Sequence, residues 1–210
     1  MDLSAVILAG GESRRMGRDK AWLEADGQSL LAGAVAKARE LGAEEIFISG
    51  REGEDYSALH CPVLLDLEPG FGPLGGIERG LRAAASPLLL VLAVDLPHMT
   101  TVFLRQLAAR CDVLTGAVPK LNGELEPLAA IYPKRCHVIA SDFITQSRHA
   151  ARDFAEACLR EKAVRTFPVA STDAPCFDNW NTPADVPARS GSSMNLVVTS
   201  RGGAATMPTV

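Results

Sequence analysis

Apolar positions fall along the chain in two kinds of segment. Short β-branched or leucine-rich runs at residues 5–8, 45–49, 63–66, 88–95 and 112–118 predict strands, because compact apolar runs bounded by turn residues suit a sheet covered on both faces. Between the first two runs, Leu30, Leu31, Ala34, Val35, Ala38 and Leu41 recur at helical spacing, with Ser29 placed as N-cap and Gly42 as stop. Further helices are predicted over 74–85, 101–110, 133–143 and 148–161. Strands alternating with helices imply a Rossmann-like three-layer α/β/α sandwich with a mostly parallel sheet. The stretch LNGELEPLAAIY departs from that pattern. Its Asn122-Gly123 pair is a turn signal between two apolar runs, which predicts a local antiparallel excursion within 112–132.

That architecture says where to look for chemistry. In an open α/β sheet, ligands bind beyond the carboxyl ends of the strands. The segments that follow the first four strands are also the most unusual in the chain.

Composition narrows the field. The chain has 210 residues, 47% hydrophobic and 22% charged, with a formal net charge of -4. This is an ordinary globular balance that argues against a broad nucleic-acid surface. The longest apolar run, residues 88–94, falls far short of the ~20 residues that cross a bilayer. The chain enters SAVILAGG with no basic-then-apolar leader, which predicts a cytoplasmic protein with no membrane partner. Five cysteines without a CxxC pair read as reduced thiols. Residues 1–188 are expected to form one domain. Residues 189–210, rich in Gly, Ser and Thr with no acid, are expected to form a flexible tail.

The segment LAGGESRRMGRDK, residues 8–20, is the densest in chemistry. Gly10 and Gly11 end a strand without side chains, so their N–H groups can form an anion-binding nest. Arg14, Arg15, Arg18 and Lys20 place four cations within seven positions, a cluster that suits a triphosphate. Solvated surface charge after a glycine turn is the alternative. The spacing is neither that of a Walker A loop nor GxGxxG. Asp66 opens a glycine- and proline-rich loop, DLEPGFGPLGGI, whose Gly75 and Gly76 allow either close packing or close ligand approach. Asp95 ends the longest apolar run. A carboxylate there either serves a hard cation or caps the next helix. Asn179 and Asn181 alternate in FDNWNTPADV, facing one side if extended.

The first loop closely resembles the LAGGxSxRMGxDK signature of the molybdenum cofactor guanylyltransferases, within the wider nucleotidyltransferase group. Leu8, Ala9, Gly10, Gly11, Ser13, Arg15, Met16, Gly17, Asp19 and Lys20 match. DLEPGFGPLGG, Asp95-Leu96-Pro97, the Pro-Leu-x-x-x-Tyr of EPLAAIYP and FDNWNTP resemble further family segments, and the resemblance spans residues 4 to 188. Trp180 is a large residue at a variable position. No asparagine stands at the second strand end, where Ser49 is a substitute.

The resemblance implies an enzyme that transfers GMP from GTP to the terminal phosphate of molybdenum-molybdopterin. Leu8, Ala9, Gly10, Gly11, Ser49 and Asp66 would bind nucleotide. Lys20 and Arg15 would hold the triphosphate, and Asp95 would hold Mg²⁺. Asn179 and Asn181 would lie on the acceptor side. Molybdoenzymes or their chaperones would receive the product. A relative using CTP or a sugar-phosphate acceptor, and a nucleotide-binding module without turnover, are the competing readings.

Overall fold

The computed structural model describes residues 2–10, 20–25, 27–65, 71–180 and 185. Its strands are β1 (Leu3–Leu8), β2 (Glu24–Ala25), β3 (Gln28–Ser29), β4 (Glu45–Gly50), β5 (Val63–Leu65), β6 (Leu88–Ala93), β7 (Gly116–Leu121), β8 (Glu124–Leu125), β9 (Ala129–Pro133) and β10 (Val164–Pro168). Its helices are α1 (Leu30–Leu41), α2 (Gly72–Ala83), α3 (Thr101–Ala108), α4 (His137–Thr145) and α5 (Ala151–Arg160). The main sheet runs β10-β7-β9-β6-β1-β4-β5, with β8 paired to β7, and β2 and β3 form a separate hairpin. Among the described residues, no helix is long and apolar enough to cross a membrane.

β1 and β6 sit side by side in the centre, and every residue of both is buried. Both are nearly continuous apolar runs, as a parallel strand covered on both faces requires. Alternate residues feed two cores. Ala5 and Ile7 face α1 and α3, while Val6 and Leu8 face α2, α4 and α5. The expected three-layer sandwich is thus present.

Local signals place the helices. Ser29 Oγ accepts from the Ala32 N–H at 3.1 Å, and Gly42 closes α1 with φ 93°. Pro73 lies in the first turn of α2. α2 lies close against the sheet at Gly76. A Cβ there would stand 2.4 Å from Ser49 Oγ and 2.7 Å from Leu8 Cδ2, so packing alone demands glycine. Gly76→Ala is expected to cost ~1–3 kcal/mol through overpacking, read as a lowered melting temperature. An unchanged melt would show that α2 can move off the sheet freely.

Three expectations need correction. Residues 112–115 are a tight turn rather than strand: Asp112 bridges Thr115, and Asp112 Oδ1 accepts from Leu114 N–H at 3.0 Å. Strand β7 therefore begins at Gly116. Pro133 ends β9 instead of opening a helix, and a 3-10 turn at Lys134–Cys136 leads into α4. α5 begins at Ala151, after Ser147 at φ 57° interrupts the helical path. The antiparallel excursion is present and larger than a hairpin. Asn122 and Gly123, at φ 50° and 90°, turn β7 into β8. The chain then inserts β9 between β6 and β7, antiparallel to both. β10 and the β2–β3 hairpin had no legible signal. β10 carries only one buried residue, Val164, and β2 and β3 are two residues each.

Candidate active site at the carboxyl ends of the central strands

After β1 the chain moves to β4 and β5 on one side, then returns to lay β6 on the other. Such a switch in strand order opens a crevice at the strand ends. The first residues past β1 and β6 are tied to neighbouring strands there. Ala9 N–H donates to the Ser49 carbonyl at 2.9 Å, and Val94 N–H donates to the Leu8 carbonyl at 3.2 Å. These bonds extend the sheet one residue past its apolar core.

Lys20 and Asp95 come together across this crevice. Lys20 Nζ lies 3.6 Å from Asp95 Oδ2, with the side chains 17% and 28% exposed. The pair is partly shielded and open on one side. Asp95 does not cap the following helix. That role belongs to Thr100, whose Oγ1 accepts from Phe103 N–H at 3.1 Å. The helix-cap alternative for Asp95 is therefore removed, leaving a partly exposed carboxylate whose ion partner is a lysine from the first loop.

Asp95 suits a hard divalent cation that takes most of its ligands from elsewhere. Among the described residues no group of three or more His, Cys, Asp or Glu could hold a metal. One carboxylate at the mouth of a crevice matches Mg²⁺ chemistry, which typically uses one or two carboxylates plus substrate phosphates.

The other expected residues are placed differently from one another. Gly10 follows β1 at a point where packing among the described residues does not require glycine. Its φ is not positive, and among the described residues the atoms nearest to a Cβ there are Ser49 O, at 3.6 Å, and Gly50 O and C, at 3.8 and 3.9 Å. Asn179 is exposed next to buried Trp180. Ser49 stands at the end of β4, but the residue is only 4% exposed and its side chain is turned under α2 toward Gly76. Its carbonyl, rather than its hydroxyl, supports the loop after β1. Gly11, Arg14, Arg15, Arg18, Asp66, Asn181 and residues 189–210 lie outside the described residues.

The Pro-Leu-x-x-x-Tyr stretch is structural. Tyr132 is fully buried, and its hydroxyl donates to the Pro127 carbonyl at 3.1 Å. Beside it, burial pushes the Glu126 carboxyl up, with Arg152 opposing the shift and Glu124 adding to it. A folded state that holds this proton more tightly than the unfolded chain loses stability as pH rises above the ordinary value of 4.5. Glu126→Gln is therefore expected to raise the melting temperature at neutral pH, with the gain vanishing in acid below that value. A gain of equal size at both pH values would assign the effect to packing.

No serine, histidine or cysteine relay emerges among the described residues. Ser141 Oγ and Glu78 Oε1 both meet the same nitrogen of His137, Nε2, at 3.3 and 3.1 Å. A relay needs one partner on each ring nitrogen, so this partly buried group ties α2 to α4 instead. The cysteines are free, and three of the five are buried. Burial pushes the Cys111 thiol up to about 12. A hydrogen bond with Cys136, and then burial, push Cys158 up further. None of this favours a thiolate nucleophile.

Sequence reasoning missed two residues that hold the Asp95 turn. Lys37 reaches from α1 and donates to the Pro97 carbonyl at 3.4 Å, and Trp180 N–H donates to the Asp95 carbonyl at 3.1 Å. Lys37 reads as an ordinary solvated position on the helix, so only its proximity to Pro97 exposes it.

A lysine and a carboxylate that meet in a switch-point crevice suit an enzyme that handles charged phosphates. The comparisons agree. The chain belongs to the MobA-like NTP transferase domain family, which it matches over residues 5–176. It is 36% identical over 186 residues to a protein of Opitutus terrae named "Probable molybdenum cofactor guanylyltransferase", covering 87% of this chain and 92% of that protein. It is 42% identical over 136 residues to a Mycobacterium bovis protein of the same name, covering 62% and 67%. Its fold matches the crystal structure of molybdopterin-guanine dinucleotide biosynthesis protein A from Archaeoglobus fulgidus with TM-score 0.68 and 24% identity, over 87% of this chain and 94% of that one.

Proposed function

We propose that this enzyme transfers GMP from GTP to the terminal phosphate of molybdopterin, releasing pyrophosphate. The observation that carries this reading is the meeting of Lys20 and Asp95 at 3.6 Å in the switch-point crevice. The names of the relatives supply the substrates.

An oxygen of the acceptor phosphate attacks the α-phosphorus of GTP. The bond from that phosphorus to the bridging oxygen breaks, and pyrophosphate leaves with the electron pair. A phosphate monoester has its second pKa near ~6. The nucleophile is therefore already largely dianionic at neutral pH and needs no strong base. The chain's task is positioning and charge neutralisation. Lys20 turns from Asp95 to the triphosphate, joined by Arg15 and the amides of Gly10 and Gly11. Asp95, released, would hold Mg²⁺. Held there, the metal would supply positive charge beside the phosphates. Asp66 orients the nucleoside, and Asn179 and Asn181 face the acceptor.

A panel of GTP and CTP with molybdopterin or a sugar phosphate, read out as pyrophosphate, tests the assignment. Release with GTP and molybdopterin is expected. Preference for another pair would move the enzyme elsewhere in its group. No release from any pair would favour a non-catalytic nucleotide-binding module.

A further inference from the structure

The Asp95 turn is held from several directions. Lys20 contacts the carboxylate, Lys37 holds the Pro97 carbonyl, and Trp180 N–H holds the carbonyl of Asp95 itself. The third contact comes from a segment distant in sequence. That segment is pinned by its own side chains. Phe177 packs edge-on against Phe103 with ring centroids 5.2 Å apart, and Cys176 Sγ lies 3.9 Å from Thr100 Oγ1. Trp180 is only 5% exposed, and its indole meets His98 edge-on at 6.1 Å. Two flanking contacts, on Thr100 and His98, therefore lie within the same β6–α3 connection that carries Asp95. Asn179, next along the segment, is exposed. A bulky indole between two polar positions is unexpected for a loop facing a polar ligand. Its placement is explained by what it grips.

We propose that Trp180 is a positioning residue for Asp95. Its buried indole sets the height of the backbone N–H that holds the Asp95 carbonyl, so the acceptor-side segment and the metal-binding carboxylate move as one unit. This rests on the reading of Asp95 as the metal ligand. A phosphoryl-group transfer tolerates little misplacement, since a shift of ~1 Å can cost ~10²-fold. Partners that orient a metal ligand typically change metal affinity by ~10–100-fold when removed.

The test uses the full chain and Mn²⁺ as the metal probe. Trp180→Ala is expected to weaken Mn²⁺ binding in the presence of GTP by ~10-fold or more, measured by electron paramagnetic resonance. The concentration of Mg²⁺ needed for half-maximal turnover should rise in parallel. Affinity for GTP without metal should stay within about twofold, since the triphosphate contacts lie elsewhere. Trp180→Phe, which keeps an aromatic edge toward His98, should restore most of the metal affinity. A second measurement needs no destabilising change. The chain has two tryptophans, so Trp22→Phe leaves Trp180 as the only fluorophore of its kind. Its emission should change when Mn²⁺ is added with GTP, and Asp95→Asn should abolish that change.

Folded Trp180→Ala with parental Mn²⁺ affinity, or Trp180 emission indifferent to metal and GTP, would overturn the proposal while leaving the metal role of Asp95 intact. If Trp180→Ala does not fold, the emission of Trp180 in the Trp22→Phe background decides. Asp95→Asn with parental Mn²⁺ binding would instead overturn the metal reading itself, and the positioning role with it.

Discussion

Asp95→Asn is expected to lower turnover by ~10²-fold or more while the melting temperature stays near that of the parent. The substitution keeps size and most hydrogen-bonding capacity but removes the charge. Thr100, not Asp95, caps the following helix, so no helix end is weakened. The Asp95 side chain pairs with Lys20 at 3.6 Å, and the pair is 17% and 28% exposed. Partly exposed pairs of this kind add little to stability. The turn itself is held through backbone carbonyls, which the substitution leaves in place. A neutral amide is a poor ligand for a hard cation, so partial recovery at high Mg²⁺ is expected. An Asp95→Asn enzyme that is fully active across a magnesium titration would remove the metal from the mechanism.

Lys20→Ala should move two measurements in opposite directions. Turnover with GTP should fall by ~10²–10³-fold, equivalent to ~2.7–4 kcal/mol of lost charge stabilisation. Affinity for Mn²⁺ alone should rise, because the ammonium group that sits on Asp95 Oδ2 is gone. Opposite signs separate this exchange from simple disruption of the site, which would weaken both. The fold should be unaffected, since the side chain lies at the crevice rather than in either core. Turnover within twofold of the parent would make Lys20 a surface residue. Weaker Mn²⁺ binding by the folded variant would show that Lys20 supports Asp95 instead of competing for it.

Much of the fold was legible because its signals are local. The Ser29 cap and Gly42 stop of α1 act within a few residues of themselves, and both stand where the pattern placed them. The Asn122-Gly123 turn is likewise complete in two residues. The site was legible in part for a similar reason. A glycine- and cation-rich loop and an aspartate each end an apolar run, and an α/β sheet brings strand ends to one edge. Gly75 and Gly76 show the limit. Their spacing permits either packing or ligand approach, and only the 2.4 Å between a Cβ on Gly76 and Ser49 Oγ decides for packing there.

By itself, then, the sequence determined the helices with caps, the central buried strands and the chemical character of the loops that follow them. These depend on periodicity and on contacts a few residues apart. The tertiary structure alone decided that β9 enters between β6 and β7, that β10 forms the sheet edge, that Ser49 turns under α2 and that Lys20, Lys37 and Trp180 converge on the Asp95 turn. Those outcomes depend on which distant surfaces pack together. A residue's own neighbours in the chain carry no record of that choice, because strand order and side-chain partners are settled by the burial of the whole sheet at once.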